Sequence, residues 1–257
     1  MKLKQAIVVF DIDGVVRDVG GSYRRALADT VEHYTQEVYR PSQEDIDTLK
    51  SEGIWNNDWE ASQEMIQRYF KAQGKPIDVT YDEIVAFFQS RYRGGTDPQN
   101  WTGYICTEPL LVSPAYFDRL TDAGIKWGFF SGATRMSATY VLERRLGIQP
   151  PVLIAMEDAP GKPDPTGLIA AIEQLGATAT DPVFYIGDTV ADLYAVENAA
   201  KLQPDRPWIG IGVLPPHVQD TIEHQIAYAQ GLETAGAVRV LSNMEELTPE
   251  LIWELMD

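Results

Sequence analysis

Cysteine is all but missing from this chain. Only Cys106 occurs in 257 residues, so no internal disulfide can brace the fold, and a lone thiol fits a reducing compartment. With no histidine constellation beside it, Cys106 reads as a small buried apolar residue. Histidine is scarce too: His33, His217 and His224 show no metal-ligand spacing and are expected to be structural or solvated. No apolar run approaches the ~20 residues that a membrane helix needs. Met1-Lys2-Leu3-Lys4-Gln5 leads into a short apolar run that ends in two acids, not into a secretory h-region, so a cytoplasmic location is expected. Basic charge is short as well. Lysine and arginine number 21 against 38 aspartates and glutamates, a net charge of −17 whose field opposes binding to nucleic acid or anionic membrane. An anionic small molecule would need a local correction, namely a metal ion and a few placed cations.

What is present is alternation. Residues 6–10, Ala-Ile-Val-Val-Phe, form a β-branched apolar run of the kind buried on both faces of a parallel sheet. Further runs lie at residues 126–130, 152–156, 183–186, 208–213 and 237–241, each bounded by turn residues or acids. Between them, Ser113-Pro114, Asp164-Pro165 and Thr248-Pro249 each set an N-cap before a proline at the first helical position, and Ser242 with Glu245 reads as a capping box. The pattern predicts an α/β fold with a doubly wound, Rossmann-like parallel sheet.

Residues 16–103 break the alternation. Tyr23, Ala26, Leu27, Val31 and Tyr34 follow helical spacing, as do Met65, Ile66, Tyr69 and Phe70, then Tyr81, Ile84, Val85 and Phe88, with Thr80 and Glu83 as a capping box. This is an inserted helical cap, and the core is expected to comprise residues 1–15 and 104–257. The turn-rich stretch Arg93-Gly94-Gly95-Thr96-Asp97-Pro98 suits a hinge.

Chemistry-bearing residues stand where strands should stop, which is where ligands collect in open α/β sheets. Asp11 and Asp13 follow the first run, with Gly14 allowing a tight turn; two acids so close give a physical reason for a bound cation. Ser131-Gly132-Ala133-Thr134-Arg135 follows the second, offering a hydroxyl and approachable backbone amides to an anion. Lys162 sits on a rigid turn after the third. Gly187-Asp188 follows the fourth, with Asp192 one helical turn further on. Each of these alone is as readily an N-cap, a surface lysine or a helix-dipole acid; Asp192 in particular would stabilise the first turn of a helix without any metal. Gly210 and Gly212 lack the third glycine and distal acid of a dinucleotide site.

Four such motifs in order at successive strand ends, Asp11-Ile12-Asp13-Gly14-Val15, Ser131, Lys162 in Lys-Pro-Asp-Pro, and Gly187-Asp188 with Asp192, resemble the haloacid dehalogenase superfamily, in its phosphoglycolate-phosphatase-like branch with a helical cap after the first strand. The resemblance covers nearly the whole chain. It implies that Asp11 attacks phosphorus to form an aspartyl-phosphate, and that Asp13 protonates the leaving oxygen and later activates water. It implies that Ser131, Gly132 and Lys162 bind the phosphoryl group, and that Mg2+ is held by Asp11, the Asp13 main chain, Asp188 and Asp192, the last directly or through water.

The expected function is magnesium-dependent hydrolysis of a small phosphate monoester, phosphoglycolate or a sugar phosphate among the candidates, with a small phosphorylated metabolite as partner. A phosphomutase or a non-catalytic phosphometabolite-binding protein on the same scaffold are the alternatives. Phosphonatase chemistry would need a Schiff-base lysine, and the surroundings of Lys50, Lys71 and Lys75 single out none of them. The cap should close over the site and exclude water. Arg17, Arg24 and Arg25 near one hinge, Arg91 and Arg93 near the other, and Arg135 after Ser131 are therefore candidates to grip a second anionic group. Trp55, Asn56, Asn57 and Trp59 form a further cap cluster, more in keeping with cap core than with a contact surface.

Overall fold

The computed structural model describes residues 5–50, 52, 55 and 57–256, which leaves Asn56 outside the described residues. The chain divides into two compact units, Met1–Asp18 with Pro109–Asp257, and Val19–Glu108. In the first unit the apolar runs form β1 (Ile7–Phe10), β2 (Lys126–Phe130), β3 (Leu153–Ile154), β4 (Val183–Gly187), β5 (Trp208–Val213) and β6 (Arg239–Leu241). All are paired in parallel in the order β3-β2-β1-β4-β5-β6. Strands covered by helices on both faces need apolar side chains on both, and every residue of β1 and β4 is buried. The order reverses beside β1, so the carboxyl ends of β1 and β4 lie at the switch point where α/β sheets bind ligands.

Among its described residues the second unit contains four α-helices: α1 (Tyr23–Tyr34), α2 (Gln43–Lys50), α3 (Asp58–Ala72) and α4 (Tyr81–Tyr92). Its buried faces are those the spacing predicts, Ala26, Leu27 and Val31 on α1, Met65 and Ile66 on α3, Ile84 and Phe88 on α4. Thr80 and Glu83 make the predicted capping box. Asn57 caps α3 through Trp59 N, while Trp55 donates its indole proton to Glu52; both tryptophans are only half-buried.

The units part at 18/19 and 108/109, not at 15/16 and 103/104. Val16 and Arg17 stay with the core because their amides donate to the Ile12 carbonyl and Leu111 N donates to the Val16 carbonyl. Tyr104 and Glu108 stay with the second unit because they hydrogen-bond Asp29 and Ser22 respectively.

Around the sheet run α5 (Pro114–Asp122), α6 (Arg135–Thr139), α7 (Thr166–Gln174), α8 (Val190–Leu202), α9 (Ile222–Thr234) and α10 (Pro249–Glu254). Alternation along β1 feeds two cores. Ile7 and Val9 pack with Phe130, Leu168, Ile172 and Tyr185, while Phe10 lies edge-on to Tyr116 and Phe117 of α5, with centroids 6.0 and 5.7 Å away. Burying Phe10 fully is worth about 1.5–3 kcal/mol. The predicted Ser242–Glu245 box does not form: Asn243 caps the following turn, and Glu245 accepts from the amide and hydroxyl of Ser113 instead. Pro165, not Asp164, is the cap of α7, with Asp164 accepting from Thr166 N. Among the described residues no helix is long and apolar enough to cross a membrane.

Candidate active site

Three strand ends bring one ammonium and three carboxylates together. Asp11, next after β1, is buried, and its amide donates to the Ile186 carbonyl of β4 at 2.8 Å. Lys162 reaches in from its turn to place Nζ 2.9 Å from Asp11 Oδ2 and 2.6 Å from Asp192 Oδ1. Asp192 is fully buried in the first turn of α8. Its Oδ2 accepts from the amide and hydroxyl of Thr189, a capping box, and its Oδ1 also lies 3.1 Å from the Tyr185 hydroxyl. Both oxygens of Asp192 are thus engaged by protein groups. One of those contacts makes it the anchor of Lys162.

Two glycines make the approach possible. A Cβ on Gly14, whose φ is +75°, would stand 2.0 Å from Asp188 Oδ2, and one on Gly187 would stand 2.3 Å from Asp192 Cγ. Asp11, Asp188 and Asp192 each offer an oxygen within 4.8 Å of the others. The electrostatics follow from that count. Burial, with Asp192 and Asp13 adding to it, pushes the Asp11 carboxyl up to about 7 despite the opposing pull of Lys162. Burial and then the charges of Asp192 and Asp11 raise Asp188 well above the carboxylate range. Burial would lower Lys162, but Asp11 and Asp192 outweigh it and raise it well above an ordinary lysine, keeping it charged. Among the described residues, one ammonium does not balance three acids, and Asp11 Oδ1 is buried with no hydrogen-bond partner. An orphaned carboxylate oxygen among hard oxygen donors fits a divalent cation such as magnesium.

Asp13 is not among those three close-set acids, though its charge is felt by Asp11 and Asp188. Its half-exposed carboxylate accepts from Arg17 Nε at 2.7 Å and Nη2 at 2.6 Å. Arg17 itself is completely buried, so it is no hinge arginine awaiting a substrate. Ser131 is buried at the end of β2, its Oγ accepting from Ala133 N at 3.1 Å, and Gly132 beside it is exposed with nothing near the place of a Cβ. Arg135 is drawn off by Asp158 and the Leu153 carbonyl.

In the helical unit, Arg24 contacts Gln43, Arg25 lies over the Tyr104 ring, Arg93 lies over Trp101, and Arg91 pairs with Asp29. Lys50 pairs with Asp58. Tyr185 escaped the sequence reading. Its signal was a hydroxyl in an otherwise apolar, wholly buried strand, where such a group must find a partner; it lies 3.0 Å from the Phe130 carbonyl as well as close to Asp192.

A family model for haloacid dehalogenase-like hydrolases matches residues 6–200. The chain belongs to this family. Among curated relatives, an imidazoleglycerol-phosphate dehydratase of Phytophthora nicotianae is 31% identical over 241 residues, covering 91% of this chain and 50% of that protein. A haloacid dehalogenase-like hydrolase domain-containing protein of Arabidopsis thaliana is 26% identical, covering 75% of this chain and 65% of the relative. The chain thus spans half to two thirds of their lengths. Among solved structures, the phosphatase Tt82 from Thermococcus thioreducens superposes with a TM-score of 0.64 at 23% identity, covering 80% of this chain and 92% of that one.

Proposed function

We propose that the protein is a magnesium-dependent phosphatase that hydrolyses a small phosphate monoester through an aspartyl-phosphate on Asp11. The observation that carries this is the open, buried Asp11 Oδ1, in a carboxylate whose other oxygen is gripped by Lys162 and whose neighbour is Asp188. A carboxylate held by one cation and short of a second is poised to accept a phosphoryl group once that charge is supplied. Asp11 attacks phosphorus. Lys162, fixed by Asp192, holds the nucleophile and offsets negative charge on the transferring group. The Ser131 hydroxyl and the exposed main chain at Gly132 bind phosphoryl oxygens.

Asp13 protonates the leaving oxygen and then deprotonates the water that cleaves the acyl phosphate. Asp11, Asp188 and the Asp13 main chain, with Asp192 directly or through water, would hold magnesium, which would supply charge neutralisation at phosphorus. The likeness to a named phosphatase and to a protein named for a phosphorylated substrate supports the same class. A phosphate-release screen over phosphorylated metabolites, with and without magnesium, tests the proposal. Turnover should require the metal and should fall on the order of 10⁴-fold or more in Asp11→Asn, with the thermal midpoint kept. Undiminished turnover in that variant refutes the assignment.

A further inference from the structure

Arg17 is an expensive residue where it stands. A guanidinium with no exposed surface has given up several kcal/mol of hydration, and a chain that only had to fill this space would use an apolar side chain. Its backbone is fixed from three sides: the amide donates to the Ile12 carbonyl at 3.2 Å, the carbonyl accepts from Gly14 N at 2.9 Å, and the residue bridges Asp13 and Leu110. From that base Nε and Nη2 both converge on one oxygen of Asp13, Oδ1. Among the described residues nothing donates to Oδ2, on a side chain that is 26% exposed. A rigid fork on one oxygen sets the plane of the carboxyl group, which a single lysine contact would leave free to rotate.

We propose that Arg17 is a positioning residue for Asp13, gripping Oδ1 so that Oδ2 is the one oxygen that passes protons in both half-reactions. The inference rests on the phosphatase function proposed above. In the first half, an Asp11 oxygen bonds to phosphorus, the ester phosphorus–oxygen bond breaks, and the proton on Asp13 Oδ2 goes to the departing alkoxide. In the second, water oxygen bonds to phosphorus, the Asp11–phosphorus bond breaks, and a proton of that water returns to Oδ2. Both transfers need the same oxygen in the same place, and small misplacements of a reacting group are costly.

The test is kinetic, with p-nitrophenyl phosphate and magnesium as probe. Its leaving group departs without a proton, so in Arg17→Gln the burst of p-nitrophenolate should persist while steady-state kcat falls about 100-fold and KM falls with it, kcat/KM staying within about twofold. In an Asp13→Ala background the same change should alter the residual rate by less than about twofold, because the arginine acts through a carboxylate that is gone. Arg17→Lys keeps the buried charge without the fork; it should lose about tenfold in kcat, and it decides the matter if Arg17→Gln does not fold. A kcat within about threefold of wild type in either variant, or losses that multiply in the Asp13→Ala background, overturns the role of Arg17 alone. A wild type that releases no phosphate, or an Asp11→Asn variant that still turns over, overturns the phosphatase function and this inference with it.

Discussion

Two acids in this protein, one half-buried and one buried, meet opposite fates. Asp29, on α1 in the helical unit, accepts hydrogen bonds from Tyr104, Arg91 and Arg40. Burial pushes its carboxyl up, but those three donors outweigh it and hold the group below the usual carboxylate range. Asp11 has one cation and a surplus of acids, and is pushed up to about 7 with one oxygen unpartnered. The first arrangement is closed: every charge has its counter-charge, and nothing needs to be added. The second is open, and in the proposed function its shortage of positive charge is what would equip it to take a metal ion and a phosphoryl group. Surplus and shortage, not acidity as such, separate the structural carboxylate from the functional one.

Removing the one cation from the open cluster should have the largest effect. Lys162→Met leaves Asp11 and Asp192 facing each other in a buried site and should cost about 3–5 kcal/mol of stability, measured by denaturant unfolding in EDTA. Millimolar magnesium should restore part of the loss by linkage. A variant as stable as wild type would mean that the cluster is better solvated than its burial indicates.

The closed network should be more forgiving. Arg40 and Arg91 are each nearly half exposed, so in Asp29→Asn they can turn to water, and the cost should be about 1 kcal/mol. The pH dependence should separate the two acids by sign. Asp29 has a lowered pKa, so its contribution is present above about 4 and fades as pH falls through its folded value. Wild type and Asp29→Asn should therefore converge in thermal midpoint at low pH. Asp11 has a raised pKa, so in metal-free protein its contribution is fully present below about 4 and is lost as pH rises through about 7. Parallel pH profiles for the two groups would erase the distinction.

Much of this was legible in the chain because strand runs and helical spacing are local signals. Among the described residues, all six strands and three of the four α-helices of the second unit follow from them. The exception, α2, shows only Ile46 and Leu49 among polar residues, too narrow a stripe to read. The strand-end acids were legible as candidates because parallel sheets put strand ends at one edge. What escaped was pairing across the sequence. Ser113 takes Glu245 from its expected capping box, 132 residues away, and Lys162 takes Asp192, 30 residues away. Arg17 looked like a hinge arginine because linear position says nothing about burial, and Tyr185 looked like core because its hydroxyl partners lie on other elements.

The central claim, that Asp11 accepts the phosphoryl group, is tested most directly by borohydride trapping during turnover. Reduction of an aspartyl-phosphate yields homoserine, so digestion and mass spectrometry should find homoserine at position 11 only when both magnesium and a phosphate ester are present. Steady phosphate release with an unmodified Asp11, or with the modification on another residue, would contradict the account.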